Sequence, residues 1–363
     1  MDIDQLILRP AAVSALIALV LTPVVIKLAP RLGIVDDPKK RAHPATLHTK
    51  PVPRGGGIPI FFAILLTSLL FLPLDQRLLG ILLGALAVVL FGFADDRLDI
   101  NPYLRLAGQV VAASFVVASG IGIAFISSPL GGVIDLSHPR LVIELFGEAR
   151  EIWVWSVLFG LIWIIALMNA VNWASGVDGQ LSGFAALAAL VIALLSLRFS
   201  ADITQWPVTI LAAITFGAFL GFLPWHIFPQ KIMPGFGGAT LAGFMLAVLS
   251  ILATAKVGTL LVVLAIPIAD AGYTITRRVL SGRSPVWGDR GHLHHKLLDA
   301  GFSKRKIAAL YWVATLALGI LALNLNAEGK FYTIIGIALV VGSSLLWLNK
   351  LLQSRKPQDR DSG

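Results

Sequence analysis

Long apolar runs separated by short polar segments dominate this sequence. A helix needs about 20 mostly apolar residues to cross a bilayer, and by that measure the runs predict about eleven membrane spans. The predicted spans are 10–29, 57–74, 78–94, 104–127, 152–171, 182–198, 206–224, 238–254, 257–273, 306–324 and 331–349. The predicted fold is therefore an all-α, polytopic integral membrane protein.

The segments between and after the spans predict little further structure. Residues 132–136 and 140–145 are rich in β-branched side chains and predict a small hairpin in the longest connection, 128–151. Residues 1–350 are predicted to form one transmembrane domain, and the polar residues 351–363 a disordered cytoplasmic tail. A basic loop, and no small-residue cleavage site, follows the first run, so this run is expected to be retained as a span.

Composition excludes a soluble two-domain protein. Charged residues make up 13% of the 363 positions, against about 25% in soluble domains. The hydrophobic fraction is 57%, and the mean hydropathy is +0.84. Because the chain has no cysteine, disulfides and thiolate metal sites are also excluded.

The basic residues predict an orientation. The net charge is +9, and most of the 29 lysines and arginines fall on one predicted face of the membrane. Positive residues collect in cytoplasmic loops, so the N-terminus is expected outside and the C-terminus in the cytoplasm. Topology explains the positive charge better than nucleic-acid binding does, and no nucleic-acid partner is expected.

Polar residues of four segments converge on the predicted cytoplasmic face. They are Asp95, Asp96 and Asp99; Asn169, Asn172, Ser175 and Asp178; Asp270; and Arg277, Arg278, Arg283, His292, His294 and His295. For any one carboxylate, a solvated residue at a helix end is the simpler interpretation. Their convergence on one face predicts a functional site at the membrane edge.

The adjacent carboxylates Asp95 and Asp96 suit a magnesium ion. Two like charges side by side repel each other unless a cation lies between them, and Mg²⁺ prefers carboxylates, phosphate oxygens and waters. Asp99, one turn away, either completes this acidic patch or pairs with Arg97 or Arg105.

Two other groups indicate ligand binding. Asn169 and Asn172 lie on one helical face before a glycine-rich break, and their amides suit a uracil or a sugar amide. The arginines and histidines after Asp270 suit a diphosphate, although a basic loop that only sets the orientation is the alternative. A zinc site is disfavoured because the histidine spacing matches neither common helical pair.

Five motifs, in chain order, resemble those of the bacterial polyprenyl-phosphate N-acetylhexosamine-1-phosphate transferases, glycosyltransferase family 4. The resemblance runs over residues 31–303. The motifs are His48-Thr-Lys-Pro-Val-Pro-Arg-Gly-Gly-Gly57, Ala94-Asp-Asp-Arg-Leu-Asp99, Asn169-Ala-Val-Asn172 with Val177-Asp178-Gly179, Pro267-Ile-Ala-Asp270, and Gly288-Asp-Arg-Gly-His-Leu-His-His295.

The resemblance implies a reaction at the cytoplasmic face of a bacterial cell membrane. The family transfers a sugar 1-phosphate from a UDP-sugar to a polyprenyl phosphate and releases UMP, using Mg²⁺, with Mn²⁺ as a substitute. The His-x-His-His form resembles the branch that uses UDP-N-acetylglucosamine or a related hexosamine to initiate a cell-envelope glycan. The expected partners are the UDP-hexosamine, the polyprenyl lipid and the membrane. A second copy of the chain, in a homodimer, is a further possible partner.

The resemblance also implies residue roles. Asp95, Asp96 and Asp178 are expected to be catalytic and to ligate the metal; Asp95 or Asp96 either deprotonates the lipid phosphate or acts as a nucleophile. The expected substrate-binding residues are Arg54, Arg105, Asn169, Asn172, Asp270, Arg278, Arg283, His292, His294 and His295.

Three positions depart from the family pattern. Ser175 stands where the family usually has Asp, Phe236 where it has a metal-ligating Asp, and Arg105 where a Lys is common. Ser175 and Phe236 favour one alternative, a catalytically silent relative that binds lipid phosphate or nucleotide as a scaffold or regulator. Eleven spans also fit a secondary transporter, but such a protein would have its polar residues near mid-bilayer, and here they lie at one face.

Overall fold

The computed structural model describes residues 2–39, 48–128, 131–145, 148–199, 201–253, 257–284 and 290–354. Helices dominate this part of the chain and account for every apolar run. They are α1 (Arg9–Leu32), α2 (Gly57–Phe71), α3 (Gln76–Leu98), α4 (Pro102–Ala118), α5 (Val154–Trp173), α6 (Gln180–Leu197), α7 (Trp206–His226), α8 (Gly235–Leu252), α9 (Val257–Val263), α10 (Ala265–Leu280), α11 (Leu293–Asp299), α12 (Lys304–Ala322) and α13 (Ala327–Ser354). A π-helical turn, Asp4–Leu8, precedes α1, and a 3-10 turn, Ile203–Gln205, precedes α7.

The chain is a multi-pass membrane protein, but helix length alone does not support eleven spans. Among the described residues, eight helices are long and apolar enough to cross a membrane, and α9 with α10 supplies a ninth if the bent pair counts as one span. The apolar helices α2 and α4 have only 15 and 17 residues. Helix α13 extends to Ser354, four residues into the predicted tail, and the remainder of that tail lies outside the described residues.

The predicted span 257–273 is not one continuous helix in the structure. Helices α9 and α10 meet at Leu264 with a bend of 83°. Pro267 explains the break in part, since a proline has no N–H to donate to the carbonyl four residues earlier. The bend places Asp270 inside α10 and not at the end of a span.

The single predicted hairpin is wrong as well, because the structure forms two. Strand β3 (Phe125–Ser127) pairs with β4 (Val133–Asp135), and β5 (Arg140–Leu145) pairs with β6 (Glu148–Trp153). The two predicted strands, β4 and β5, do not pair with each other: β4 pairs with the strand before it, and β5 pairs with the strand after it. One further pair, β1 (Val35–Asp36) with β2 (Val52–Pro53), lies between α1 and α2.

Helix α8 forms the centre of the bundle. Every residue from Phe236 to Ile251 is buried, and the helix packs against α2, α3, α5, α6, α7 and α9. At Gly92 of α3 an added Cβ would collide with the backbone of Gly237, so α3 and α8 cross at backbone distance. This close crossing brings the first residues of α8 against the last turns of α3.

The outer helices present apolar side chains where lipid is expected. Leu16, Val20 and Val24 on α1 and Leu339 and Trp347 on α13 are all exposed. An apolar outer face next to a packed interior is the arrangement expected of helices in a bilayer. The polar residues of interest are instead gathered where α3, α5 and α10 end and where α4, α6, α8 and α12 begin.

Candidate functional site

Arg54 and Arg105 each hold one member of the carboxylate pair. Asp95 and Asp96 lie in the last turn of α3 and are 1% and 7% exposed. The Nε of Arg105 donates to Asp95 Oδ1 at 2.6 Å, and its Nη2 donates to Asp99 Oδ1 at 3.0 Å. The Nε of Arg54 lies 3.0 Å from Asp96 Oδ1. The structure therefore brings four predicted site residues together as two ion pairs.

Short turns place both arginines. Asp99 ends α3 with a positive φ of 50°, and Asn101 caps α4 by accepting from the backbone N–H of Tyr103 at 2.9 Å. This turn sets Arg105, in the first turns of α4, opposite Asp95. The backbone N–H of Arg54 donates to the Ile34 carbonyl at 2.8 Å, just beyond the β1–β2 pair, and this contact fixes the approach of Arg54 to α3.

Phe236 lies at the centre of the same cluster. Its backbone N–H donates to Asp96 Oδ1 at 3.1 Å, and the Cζ of Arg105 lies 5.3 Å from the centroid of its ring. The loop before α8 is held by Gly56, whose N–H donates to the Met233 carbonyl at 3.0 Å. Phe236 thus contributes a backbone donor and an aromatic face beside the carboxylates.

Asp178 belongs to a different ion pair, which the sequence did not predict. Lys304, the first residue of α12, places its Nζ 3.0 Å from Asp178 Oδ1, and the backbone N–H of Gln230 donates to Oδ2 at 3.2 Å. Asp178 is 4% exposed, so both carboxylate oxygens are engaged in a buried setting. Nothing local in the sequence identifies Lys304, which is 126 positions from its partner.

Asp270 orients His292. The Nδ1 of His292 lies 3.0 Å from Asp270 Oδ2, and the backbone N–H of Leu293 donates to Oδ1 at 2.8 Å. Asp270 is fully buried. A carboxylate on one ring nitrogen sets the tautomer and turns the other nitrogen, Nε2, away from it. Asp270 is therefore placed to position His292, and not to contact a substrate directly.

The other two histidines pack beside His292. The rings of His292 and His294 are parallel, 5.9 Å apart, and the His295 ring centroid lies 4.2 Å from that of His294. Burial, together with the charges of His295, His292 and Arg290, holds the pKa of His294 well below its usual range. His294 is therefore neutral at pH 7 and cannot supply positive charge to a diphosphate.

A glycine brings the loop after α5 against this histidine cluster. An added Cβ at Gly176 would collide with the His294 ring, so the absence of a side chain permits the approach. Trp173, at the end of α5, contacts the cluster from another side: its ring lies 5.8 Å from that of His292 and 5.2 Å from the Cζ of Arg278. Arg278 is buried, whereas Arg283 is exposed at the turn after α10.

A cavity of about 380 Å³ separates the carboxylate cluster from the histidine cluster. Its walls come from α4, α5, α9 and α10, with Phe236 of α8. Most of the lining is apolar, and the polar exceptions are Arg105, Asn169 and Asn172. Asn169 is also tied to Gln109, a residue the sequence did not single out: Asn169 Nδ2 donates to Gln109 Oε1 at 2.7 Å.

A second cavity of about 130 Å³ lies next to Asp96. It is lined by Arg54, Asp36, Asp37, Arg97 and Asp99, with Gly33 and Val35.

The donor atoms fit a magnesium ion only in part. Among the residues that the structure describes, no three His, Asp or Glu side chains are gathered closely enough to hold a metal ion. Asp96 Oδ2 is buried and has no hydrogen-bond partner there. Mg²⁺ is commonly held by one or two carboxylates together with waters and substrate phosphates. Asp96 and the adjacent Asp95 fit that pattern, whereas both oxygens of Asp178 are engaged by Lys304 and by the backbone N–H of Gln230.

The fold and the site together define a multi-pass membrane protein with a cavity between paired carboxylates and a basic, histidine-rich cluster. The sequence profile of Glycosyl transferase family 4 matches residues 78–254, from α3 to the end of α8. The decaprenyl-phosphate N-acetylglucosaminephosphotransferase of Mycolicibacterium smegmatis is 30% identical over 346 residues, which cover 86% of this chain and 81% of that protein. The chain belongs to glycosyl transferase family 4.

Two further relatives match to a similar extent. The probable undecaprenyl-phosphate N-acetylglucosaminyl 1-phosphate transferase of Bacillus subtilis is 27% identical over 324 residues, covering 87% of this chain and 84% of that protein. The phospho-N-acetylmuramoyl-pentapeptide-transferase of Staphylococcus aureus is 25% identical over 325 residues, covering 86% and 97%. The predicted family membership is confirmed.

Proposed function

We propose that this protein transfers N-acetylglucosamine 1-phosphate, or a related hexosamine 1-phosphate, from its UDP-sugar to undecaprenyl phosphate and releases UMP. The activities for which the relatives in Mycolicibacterium and Bacillus are named support this reaction. The observation that carries it is the apolar cavity with Arg105 at its polar end, next to the paired Asp95 and Asp96. The product would be a lipid-linked sugar diphosphate that begins a cell-envelope glycan.

The cavity suits the lipid acceptor. Its apolar walls match an isoprenoid chain, and Arg105 suits the phosphate at the head of that chain. A guanidinium has five N–H groups, of which Asp95 and Asp99 use two in the described contacts. The others are available to a phosphate. Asn169 and Asn172 add neutral hydrogen-bonding groups at the same wall.

The histidine-rich cluster suits the nucleotide diphosphate. Arg278 supplies a positive charge held by the face of Trp173, and His292 presents Nε2 because Asp270 holds Nδ1. Trp173, which contacts both groups, lines the same cavity as Arg105. A diphosphate held at this cluster would have to extend across the cavity for its β-phosphorus to meet a lipid phosphate at Arg105.

The reaction needs alignment and charge neutralisation more than a strong base. An oxygen of the lipid phosphate attacks the β-phosphorus of the UDP-sugar, a new P–O–P link forms, and the bond from the β-phosphorus to the bridging oxygen breaks as UMP leaves. The lipid phosphate is already anionic near neutral pH. Arg54 and Arg105 offset the charge of the approaching anions. Asp95 and Asp96 would hold a magnesium ion, which would supply further positive charge against the anionic phosphates.

The proposed location is the inner membrane of a bacterial cell, with the site on the cytoplasmic face. The distribution of lysine and arginine supports this orientation, which places the N-terminus outside and the C-terminus in the cytoplasm. UDP-sugars are made in the cytoplasm, so the proposed substrate is available on that side.

A cavity-filling variant tests the acceptor site. Gly272 lines the cavity and an added Cβ there meets no atom within 4 Å, so Gly272→Leu should intrude into the lipid path. We expect a higher KM for undecaprenyl phosphate and an unchanged KM for the UDP-sugar. Gly336→Leu, at another open position on α13, is the matched control and should change neither. An unchanged lipid KM in Gly272→Leu would contradict this assignment of the cavity.

A further inference from the structure

The carboxylates expected to ligate magnesium are already engaged by donors of the protein itself. Asp95 Oδ1 accepts from Arg105, and Asp96 Oδ1 forms an ion pair with Arg54 and accepts from a backbone N–H. Both oxygens of Asp178 are engaged, one by Lys304 and the other by a backbone N–H. A divalent cation that approaches the free protein must therefore compete with two guanidinium groups and an ammonium group.

The electrostatic surroundings of Asp96 also disfavour a lone cation. Phe236, in the first turn of α8, offers Asp96 an N–H, which repels a cation, and its ring has no ligand atom. The N-terminus of α8, an 18-residue helix, is directed at the same carboxylate. The positive end of a helix dipole favours anions over cations.

One ligand atom nevertheless remains. Asp96 Oδ2 is buried and, within the described part of the chain, has no hydrogen-bond partner. Magnesium takes near-octahedral oxygen ligands and commonly completes its shell with substrate phosphates and waters. A diphosphate at this point would supply the oxygens that the protein lacks, and it would also give Arg54 and Arg105 alternative partners.

We infer that the divalent cation binds at the Asp95–Asp96 pair only together with the diphosphate of the nucleotide sugar, so that the free protein holds no resident cation there. The inference rests on the proposed function, because it requires a diphosphate substrate. Linkage makes the coupling reciprocal: the cation tightens nucleotide binding by the same factor by which the nucleotide tightens cation binding. We expect this factor to be at least about tenfold.

Manganese binding measures the coupling without any turnover. The full-length protein in detergent is titrated with Mn²⁺, and free Mn²⁺ is followed by electron paramagnetic resonance, first alone and then with saturating UDP-N-acetylglucosamine. A titration of the nucleotide without protein corrects for the complex that forms in solution. We expect negligible binding to the free protein and one bound Mn²⁺ per chain with the nucleotide. Equal Mn²⁺ affinity in the two protein titrations would overturn the inference.

A pair of variants at Phe236 sharpens the test. A carboxylate beside Asp96 would give the free protein a second ligand, so Phe236→Asp should bind Mn²⁺ at least about tenfold more tightly without nucleotide than the wild type does. Phe236→Asn, which has similar size and no charge, should not gain affinity. If both variants bind alike, charge at this position is not what the site lacks, and the inference is contradicted.

Failure of the inference and failure of the proposed function give different results. Nucleotide binding is measured separately, by equilibrium dialysis of radiolabelled UDP-N-acetylglucosamine with and without Mn²⁺. Nucleotide that binds while Mn²⁺ binds equally well in its absence overturns the inference alone. If no UDP-hexosamine binds under either condition, the proposed function fails and the inference fails with it. The wild-type titrations decide these outcomes even if a variant does not fold.

Discussion

Removing the Arg105 guanidinium should lower both stability and activity. Arg105→Met keeps much of the apolar stem and removes the two hydrogen bonds to Asp95 and Asp99, at 2.6 and 3.0 Å. Asp95 is 1% exposed, so its carboxylate would remain buried without this cation. Removing one partner of a buried ion pair costs about 3–5 kcal/mol. Because the Arg105 side chain is 28% exposed, the lower end, about 3 kcal/mol, is expected.

The effect on activity follows from the lost contact to phosphate. A hydrogen bond to a charged group contributes about 1.5–3 kcal/mol, which corresponds to a fall in kcat/KM for undecaprenyl phosphate of about 10- to 150-fold. Arg105→Lys should recover only part of this, because an ammonium keeps the charge but not the planar arrangement of donors.

A double variant separates the two effects. In Arg105→Met/Asp95→Asn the buried charge is gone, so thermal unfolding in detergent should return most of the way to the wild-type midpoint while activity stays low. Arg77→Met, at the exposed opposite end of α3, is the control and should match the wild type. If Arg105→Met unfolds at the wild-type temperature, or if the second substitution lowers the midpoint further, Arg105 does not stabilise the fold by pairing with the buried Asp95 charge.

Three other changes have definite expected outcomes. Gly92→Ala forces a methyl group onto the backbone of α8 and should lower the free energy of unfolding by about 1–3 kcal/mol, which a lower unfolding midpoint would show. An unchanged midpoint would contradict the close crossing of α3 and α8. Lys304→Met leaves Asp178 buried without its ammonium partner and should destabilise by about 3 kcal/mol, whereas the exposed Lys306→Met should not. The pKa of His294 is lowered on folding, so the unfolded state binds the proton first; stability should be full above about pH 6.5 and fall as the pH drops below it. His294→Gln should flatten that dependence in unfolding scans between pH 7 and pH 5.

Hydrophobic pattern predicts the helices well because membrane helices form from local sequence. Each predicted span overlaps a helix or the bent α9–α10 pair, since a backbone in lipid must satisfy its hydrogen bonds within the segment. Pattern does not show how a segment ends or bends. The break at Leu264 and the pairing of β3 with β4 depend on backbone hydrogen bonds, which cannot be predicted from the hydrophobic pattern.

The sequence singled out most residues of the candidate site but few of their partners. Asp95, Asp96, Asp270 and the histidines stand out by their polarity at one predicted face, and Asp99 pairs with Arg105, one of the two partners that the sequence predicted for it. Lys304 and Gln109, by contrast, acquire their contacts only when the bundle brings them to partners 126 and 60 positions away. No local pattern indicates that both oxygens of Asp270 are engaged within the protein.

The proposed transfer of a sugar phosphate from a UDP-sugar to a lipid phosphate at the Asp95–Asp96 end of the cavity is tested most directly by UMP release. The purified protein is supplied with undecaprenyl phosphate, UDP-N-acetylglucosamine and Mg²⁺ and compared with the Asp95→Asn/Asp96→Asn variant. We expect release that depends on the lipid and on Mg²⁺ and that falls to background in the variant. Release no greater than that of the variant, with UDP-N-acetylglucosamine and with other UDP-hexosamines, would contradict it.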